Sequence, residues 1–277
     1  MPPHVRQTAM LAIGALGALG GASLPVAAQG VPPGVNANWR QIFAEEFDGG
    51  ELDLTRWTTC YWWADDGCTN LGTGELQWYL PDNVSVEDGA LRLAARKEDA
   101  AGIDGRTFGY TSGIVTTGRY YSERDLSDRF AFRYGFIEIR AQVPAGQGLW
   151  PAIWLLPSDH ESKPEIDIME VLGHRPDLLE MNFHPVADDS QGHEAEVGDL
   201  STGWHVYGLS WQPDAIVWYL DGVEQFRVDD AAVIPQEQMY LIMNLAVGGD
   251  WPGDPDDAVL PADFLIDYVR VWQPPLE

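Results

Sequence analysis

The sequence predicts an all-β protein, and three observations support this fold class. Short apolar runs are separated by turn residues along most of the chain, often by Asp-Gly or Gly-Gly pairs. After residue 28 no segment has the 3.6-residue apolar periodicity of a helix longer than a turn or two. No internal repeat or low-complexity linker divides the 277 residues. Because an all-β sandwich of this size commonly forms one domain, we expect a single domain over residues 29–277.

The first 28 residues have the composition of a secretory signal peptide. Arg6 precedes an apolar run from Met10 to Leu24, and Val26-Ala27-Ala28 supplies small residues for cleavage before Gln29. The apolar run is too short and too rich in Gly and Ala for a good membrane span, and no later stretch is apolar for long enough. We therefore expect a secreted protein, extracellular or periplasmic, with no membrane partner.

The chain is strongly acidic, with 43 Asp and Glu against 16 Lys and Arg and a formal net charge of −27. The signal peptide contains one arginine and no acid, so its removal leaves the chain one unit more negative. Such a surface repels nucleic acids and polyanionic polysaccharides. This excludes nucleic acid as a partner and favours a neutral substrate. A salty habitat is the alternative explanation of the acidity, and the sequence does not separate the two.

Cys60 and Cys68 are the two cysteines of the chain, and they flank a segment that contains Tyr61, Trp62 and Trp63. Two neighbouring cysteines in an exported protein predict a local disulfide. The pair lacks the further Cys or His ligands of a zinc site, so we expect no zinc.

Taken in order, the turn residues place most of the strands. A first strand covers Trp39 to Phe47 and ends at Asp48-Gly49-Gly50. Two hairpins with tight Asp-Gly turns are predicted, and a last strand covers Tyr268 to Trp272. The hairpin segments are Asn83 to Val86 with Leu91 to Ala95 around Asp88-Gly89, and Trp211 to Leu220 with Phe226 to Val228 around Asp221-Gly222.

A strand from Phe136 to Val143 alternates between apolar and polar residues. Its apolar face is formed by Ile137, Ile139, Ala141 and Val143, and its polar face by Glu138, Arg140 and Gln142. The polar face is either an ordinary solvated one or a surface on which a ligand docks.

The next segment carries two tryptophans, Trp150 and Trp154, on either side of the rigid Pro151. Aromatic faces stack on sugar rings, because the C–H face of the sugar is apolar while its hydroxyls stay in water. The alternative is that a tryptophan fills the core between two sheets. We expect this of some of the 12 tryptophans but not of all, since several lie in polar turns, as Trp251 does. We place Trp251 at the substrate site.

The stretch from Glu165 to Glu170 is too short and too β-branched for an amphipathic helix and predicts a strand. The two-residue period places Glu165 and Asp167 on one face and Ile166 and Ile168 on the other. A regular strand would place Glu170 on the isoleucine face, where an ionised carboxylate costs several kcal/mol.

A bulge at Met169 resolves this conflict, because one extra residue returns Glu170 to the acidic face and Val171 to the apolar side. Three acids then share one surface. Like charges so placed raise at least one pKa, which suits a nucleophile beside a proton donor. The alternative is the solvated polar face of an edge strand.

Together these segments resemble glycoside hydrolase family sixteen, and within it the laminarinase-like endo-β-1,3-glucanases. The likeness runs from Phe43 to Trp272, and its most specific element is Glu165 to Glu170, in the bulged form that laminarinases have and lichenase-type members lack. The other matching segments are Tyr134 to Arg140, Trp150 to Trp154, Asn244 to Gly249 and Asp267 to Val271. The resemblance implies a concanavalin A-like β-jelly-roll sandwich of two antiparallel sheets, with a concave substrate cleft.

The resemblance also implies residue roles. It makes Glu165 the nucleophile, Glu170 the general acid/base and Asp167 the acid that tunes both. The residues that it implies for the sugar cleft are Glu138, Arg140, Trp150, Trp154, His184 and Asn244. A second interpretation of His184 is a hydrogen-bonded histidine on a half-buried strand, and we expect His205 to be structural.

Family members often carry a calcium ion on the convex face, and Glu46, Gly89 and Asp267 match its ligand positions. Oxygen ligands of this kind suit Ca²⁺. The resemblance thus implies a structural calcium site and no cofactor for catalysis.

One loop departs from the family pattern. The chain has Glu161-Ser162-Lys163-Pro164 where laminarinases usually place a Trp-Pro segment and a Gly. This loop helps to shape the subsites, so the linkage preference is left open. The segment between Cys60 and Cys68 either compensates from another loop or shifts the specificity toward mixed-linkage β-glucan or an exopolysaccharide.

The functional hypothesis is a secreted, monomeric endo-β-1,3-glucanase that acts on neutral β-glucan poly- or oligosaccharides with retention of configuration. Alternatives within the family are an endo-1,3-1,4-β-glucanase and an exopolysaccharide depolymerase. The alternative from another class is a non-catalytic β-glucan-binding lectin. Such binders typically lose the catalytic glutamates, whereas Glu165 and Glu170 are both present.

Overall fold

Strands and tight turns make up nearly all of the regular structure. The computed structural model describes Pro32, Val35 and residues 38–275, apart from 64–67, 103–104, 124–126 and 188. The predicted signal peptide, Met1 to Ala28, lies outside the described residues. In the described part, helix is limited to short 3₁₀ turns, such as Leu71–Thr73 and Pro81–Asn83, and no helix there is long and apolar enough to cross a membrane.

The strands are numbered in chain order. They are β1 Arg40–Glu45, β2 Gln77–Tyr79, β3 Val84–Glu87, β4 Ala90–Ala95, β5 Ala100–Ala101, β6 Thr107–Phe108, β7 Tyr110–Ser112, β8 Ile114–Thr116, β9 Gly135–Gln142, β10 Leu149–Pro157, β11 Glu165–Glu170, β12 Leu178–His184, β13 Gln191–Glu196, β14 His205–Trp211, β15 Ile216–Leu220, β16 Val223–Val228, β17 Met239–Val247 and β18 Ala262–Gln273. The other 3₁₀ turns are Tyr121–Glu123 and Asp257–Val259.

Two large antiparallel sheets form the jelly-roll sandwich. The eight-stranded sheet has the order β16-β15-β14-β9-β18-β4-β3, with β1 also paired to β18. The six-stranded sheet has the order β13-β12-β11-β10-β17-β8. Two small pairs, β2 with β7 and β5 with β6, lie outside these sheets. The predicted fold class is confirmed.

The core lies between the two sheets and takes side chains from both. Ile137 and Ile139 of β9 and Ile153 and Ile166 of β10 and β11 belong to one buried cluster and are each at most 1% exposed. The alternation predicted for these strands is what places their apolar residues there. Three tryptophans are also completely buried, namely Trp57, Trp211 and Trp218. The expectation that some but not all tryptophans fill the core is confirmed.

The Asp-Gly turns close the predicted hairpins. Asp88 and Gly89 join β3 to β4, and Asp221 and Gly222 join β15 to β16. All four residues have positive φ angles between 49° and 80°, as a type I′ turn requires. One prediction was wrong in detail, because the segment from Trp211 to Leu220 is not a single strand. It contains the end of β14, a turn and β15.

The strand register contains the predicted bulge in β11, but on the β10 side it lies one residue before the predicted position, Met169. On the β10 side Ile153 pairs with Met169 and Trp154 pairs with Asp167, which leaves Ile168 as the extra residue. On the β12 side the register also shifts between Asp167 and Glu170. The consequence is that Glu170 returns to the face of the other acids.

The extra residue does not expose apolar surface, because Ile168 and Met169 both lie in the core at 2% and 0% exposure. Val171 is also completely buried, as predicted. The bulge leaves the carbonyl of Asp167 directed at the opposite sheet, where the indole N–H of Trp218 donates to it at 2.8 Å. A buried carbonyl is therefore satisfied by a side chain from the other layer.

Candidate active site

The three predicted acids lie together on the outer face of the six-stranded sheet. They line a cavity of about 100 Å³ with side chains from β10, β17 and the segment before β2. The cavity residues that the sequence also predicted are Glu165, Asp167, Glu170, Trp150, Trp154 and Asn244. The structure therefore brings these six predicted residues together around one cavity.

Glu170 is held from two sides by N–H donors. The indole of Trp150 donates to Oε1 at 3.1 Å, and the amide of Asn182 donates to Oε2 at 2.8 Å. Burial raises the pKa of Glu170 to about 7, although both donors favour the ionised form and act in the opposite direction. A carboxyl group with this pKa is partly protonated near neutral pH, as a general acid must be.

Asp167 lies deepest of the three acids, with its side chain 3% exposed, whereas that of Glu165 is 28% exposed. Burial and the negative charge of Glu170 raise the pKa of Asp167 well above its usual range. Burial and the charge of Asp167 likewise raise the pKa of Glu165 well above its usual range. The three acids therefore do not all ionise together near neutral pH.

His184 lies beside two of the acids. Its Nε2 is 3.3 Å from Asp167 Oδ2 and 3.8 Å from Glu165 Oε1, and its Nδ1 is 2.8 Å from Ser190 Oγ. Glu165, Asp167 and His184 each offer one nitrogen or oxygen atom that can bind a metal, and these atoms lie within 4.8 Å of one another. Among the described residues this cluster could therefore also hold a metal ion. His184 is thus a member of the site and not merely a histidine on a half-buried strand.

Trp251 was placed at the substrate site from its turn, and the structure places it near the cavity. Its ring meets the edge of Trp150 at a centroid distance of 5.2 Å, and it is 41% exposed. His205, which we expected to be structural, is on β14 in the opposite sheet, where its Nδ1 is 2.8 Å from Asp221 Oδ2.

The prediction that Glu138 and Arg140 line the sugar cleft was wrong. Both are on β9, which belongs to the eight-stranded sheet, and they face away from the core on the far side of the molecule. There Glu138 accepts from Tyr268 at 2.8 Å and Arg140 pairs with Asp267 at 2.5 Å. The alternation of polar and apolar residues correctly predicts which side of the strand faces away from the core. It does not predict the sheet to which the strand belongs.

Two of the three implied calcium ligands, Glu46 and Asp267, are in ion pairs. Both carboxylate oxygens of Glu46 accept from Arg270, at 2.8 and 2.7 Å, and Asp267 pairs with Arg140. Gly89 is in the β3–β4 turn. Both carboxylates are thus paired with guanidinium groups, so a calcium ion here would use their remaining lone pairs or main-chain carbonyls. Calcium binding here stays a prediction, and no step of the chemistry depends on it.

Sequence reasoning missed several residues of the site. Glu75 lines the same cavity and is 6% exposed. Asn182 holds Glu170, and Glu180 pairs directly with Glu170 across β11 and β12. A signal for the last two was present, because Glu180, Asn182 and His184 alternate along one strand.

A second cavity of about 310 Å³ adjoins Glu165 on the side of the predicted disulfide. Trp62, Trp63 and Trp154 provide its aromatic walls, and the departing loop contributes Glu161. Cys60 and Cys68 are joined, with their Cα atoms 5.4 Å apart, so the predicted disulfide is confirmed.

A β-sandwich whose outer sheet face carries two glutamates and an aspartate beside tryptophan rings has the features of a glycoside hydrolase. The model of the glycosyl hydrolases family 16 matches residues 75–270. The chain belongs to this family.

Individual relatives give the same result. The chain is 38% identical to an endo-1,3-1,4-β-glycanase, EglC, of Rhizobium meliloti over 84% of this chain and 51% of the relative. It is 34% identical to glucan endo-1,3-β-glucosidase A1 of Niallia circulans over 86% of this chain and 38% of the relative. The chain thus spans about half or less of these relatives.

A solved structure matches at nearly full length. The laminarinase catalytic domain of Thermotoga maritima superposes with a TM-score of 0.75 and 33% identity, over 85% of this chain and 98% of that domain. The likeness therefore extends over the catalytic domain of a laminarinase.

Proposed function

We propose that this protein is a secreted, endo-acting β-glucan hydrolase that cleaves β-1,3-glucosidic bonds with retention of configuration. The observation that carries the proposal is the bulge in β11, which places Glu165, Asp167 and Glu170 on one face of a cavity walled by tryptophans. The similarity to a laminarinase catalytic domain and to an endo-1,3-β-glucosidase supports the linkage. The sequence of the first 28 residues supports secretion.

In this mechanism Glu170 gives its proton to the leaving glycosidic oxygen while Glu165 attacks the anomeric carbon. The C–O bond to the leaving group breaks, and a glycosyl ester forms on Glu165. Glu170, now ionised, then takes a proton from water, and the water oxygen displaces Glu165 from the anomeric carbon. Two inversions give net retention.

The electrostatics of the cluster support this division of labour. Glu170, with a pKa of about 7, supplies the proton. Asp167 is the most deeply buried acid, and burial raises its pKa well above its usual range, which favours its neutral form and limits the negative charge beside Glu165. His184, at 3.8 Å, favours the ionised form of Glu165 that the attack requires.

A second candidate is an endo-1,3-1,4-β-glucanase. It is favoured by the similarity to EglC and by the cavity that Trp62 and Trp63 form beside Glu165, in the region where the Glu161 loop departs from the laminarinase pattern. Such a cavity adds binding surface next to the nucleophile and so bears on linkage preference. Exopolysaccharide hydrolysis is a related alternative.

Product analysis on laminarin, lichenan and agarose tests these proposals. Laminarin should yield short oligosaccharides from the start of the reaction, as endo-cleavage requires, and ¹H NMR should show the β-anomer first. Cleavage of lichenan alone would support the second candidate. Tight binding of laminarin without any hydrolysis would support the lectin instead. An α-anomer as first product would contradict retention.

A further inference from the structure

A buried carboxylate lies in the wall of the cavity, where the proposed mechanism gives it no task. Glu75 accepts three hydrogen bonds, from Thr73 Oγ1 at 2.9 Å, from Gln77 Nε2 at 2.5 Å and from the hydroxyl of Tyr79 at 3.3 Å. Burial raises the pKa of Glu75, and these donors lower it. A carboxylate with so many donors is built to accept hydrogen bonds.

A chain of hydrogen bonds connects Glu75 to a tryptophan of the cleft. The indole N–H of Trp154 donates to Asn244 Oδ1 at 2.8 Å, and Asn244 Nδ2 donates to the hydroxyl oxygen of Tyr79 at 3.0 Å. Tyr79 then donates to Glu75. The chain therefore runs from the cavity surface at Trp154, through two buried residues, to a buried acceptor.

The two ends of the chain determine the direction of its donors, because the carboxylate of Glu75 only accepts and the indole N–H of Trp154 only donates. An ionised carboxylate only accepts, so Tyr79 must use its single hydrogen toward Glu75. Tyr61 is a second neighbour of the Tyr79 hydroxyl, but a carboxylate is the stronger acceptor. The Tyr79 oxygen is then left to accept, and Asn244 must turn its NH₂ toward it. This turns the amide oxygen of Asn244 toward Trp154.

The indole at the other end of the chain lies beside the catalytic acids. Trp154 pairs with Asp167 across β10 and β11 and lines both cavities that adjoin Glu165. Its ring also meets those of Tyr61 and Trp63, at centroid distances of 6.2 and 6.3 Å. Fixing its N–H therefore fixes the tilt of an aromatic wall next to the nucleophile.

We propose that Glu75 is a positioning residue, which orients Trp154 through Tyr79 and Asn244 so that the ring holds a glucosyl unit against Glu165. The inference rests on the proposed β-glucan hydrolysis for the identity of the sugar. It assigns no contact between Glu75 and the reacting atoms.

The test compares two substitutions of the same residue. Glu75→Leu removes the acceptor, so Tyr79 and Asn244 can reorient and the indole loses its partner. Because small displacements of a positioning group cost up to about 100-fold, kcat/KM on laminarin should fall on the order of 10- to 100-fold. Glu75→Gln keeps an amide oxygen that accepts from Tyr79 and Gln77, and its kcat/KM should remain within about threefold of the parent.

A matched control is available on the opposite sheet. Glu138 is also a buried carboxylate that accepts from a tyrosine hydroxyl, that of Tyr268 at 2.8 Å. Glu138→Leu should lower the melting temperature as Glu75→Leu does, but it should leave kcat/KM within about twofold at a temperature where both variants are folded.

A second readout does not depend on activity. The indole ¹H–¹⁵N resonance of Trp154 is assigned by its loss in Trp154→Phe. This resonance should move upfield in Glu75→Leu and stay in place in Glu75→Gln. If Glu75→Leu does not fold, Tyr79→Phe breaks the same chain one step further along and should give the same shift.

An unchanged indole resonance together with unchanged kcat/KM would overturn the proposal. An equal loss of activity in Glu75→Gln and Glu75→Leu would also overturn it, since it would indicate that the charge acts directly on the sugar. If the parent protein hydrolyses no β-glucan, the proposed function fails, while the resonance still decides whether Glu75 orients Trp154.

Discussion

Trp218 and Asp167 are joined across the core of the sandwich. The indole N–H of Trp218, on the eight-stranded sheet, donates at 2.8 Å to the main-chain carbonyl of Asp167, on the six-stranded sheet. That carbonyl is at the bulge that brings the three acids to one face. The opposite sheet therefore takes part in shaping the active site, although none of its described residues lines the cavity.

Trp218→Phe should lower both stability and activity. It leaves the buried carbonyl of Asp167 without a donor, at a cost of about 1–3 kcal/mol, and loosens the bulge that positions Glu165 and Glu170. Trp211→Phe is the matched control, because Trp211 is equally buried but its indole donates to Pro235, away from the acids. Thermal unfolding and kcat/KM on laminarin should show a similar loss of stability in both variants. Equal loss of activity in both would contradict the role of the bulge.

Glu180 pairs with Glu170 across β11 and β12, and burial and the charge of Glu194 raise the pKa of Glu180 to about 7. Its negative charge in turn raises the pKa of Glu170. Glu180→Gln removes that charge, so the pKa of Glu170 should fall and the alkaline limb of kcat/KM should move to lower pH, on the order of half a unit. Glu196→Gln, the same change at an exposed position of β13, should leave the limb in place.

Asn182→Ala should shift the same limb in the opposite direction. The Asn182 amide donates to Glu170 Oε2 and favours the ionised form, so its loss should raise the pKa of Glu170 and extend activity to higher pH. A pH profile of kcat/KM measures the effect. If Asn182→Ala and Glu180→Gln both moved the alkaline limb in the same direction, the pKa of Glu170 would not be what determines that limb.

Removing each glutamate separates the two proposed roles. Glu170→Ala should still form the glycosyl-enzyme with activated substrates, whose leaving group needs no proton, and added azide should release a β-glycosyl azide. Glu165→Ala should form no glycosyl-enzyme. Recovery of an α-glycosyl azide from Glu165→Ala, with no product from Glu170→Ala, would assign the roles in reverse.

Asp167→Asn should slow both steps less severely than either glutamate substitution. It removes an ionisable group whose charge raises the pKa of Glu165, but it deletes neither the nucleophile nor the proton donor. Single-turnover kinetics with an activated substrate and a pH profile measure the two effects. A loss as complete as that of Glu165→Ala would make Asp167 a catalytic residue in its own right.

The double variant Cys60→Ser/Cys68→Ser should have a lower free energy of unfolding, by at most about 2–3 kcal/mol, because the disulfide closes a short loop. It should also raise KM more than it lowers kcat, since Trp62 and Trp63 line the second cavity and not the one that holds Glu170. Thermal unfolding and steady-state kinetics check both effects. An unchanged KM would remove this segment from the substrate-binding surface.

The sequence predicts a bulge in this strand because only neighbouring residues decide it. Keeping Glu170 out of the core while burying Val171 requires one extra residue, and no distant contact enters the reasoning. The error at Glu138 and Arg140 has the opposite origin. Alternation along a strand distinguishes its two faces. The sheet that the strand joins depends on its pairing with β14 and β18, and the residues of the strand do not predict that pairing.

The missed residues depend on such distant pairing as well. Asn182 and Glu180 reach Glu170 only because β12 lies beside β11. Glu75 joins the cavity because Gln77, two residues on, accepts from the main chain of Val247 at 2.7 Å and ties its segment to β17. The alternation of Glu180, Asn182 and His184 along β12 indicates that these side chains share a face, but it does not indicate that this face lies beside Glu170.

The bulge in β11 also bears on how members of one family can differ. Without the extra residue Ile168 the stretch reads Glu165-Ile166-Asp167-Met169-Glu170-Val171, in which acids and apolar residues alternate. The bulged and regular forms of this strand therefore differ by one residue, and both keep three carboxylates on one face. A single in-frame deletion would redraw the register against β10 and β12 while keeping all three acids in the strand.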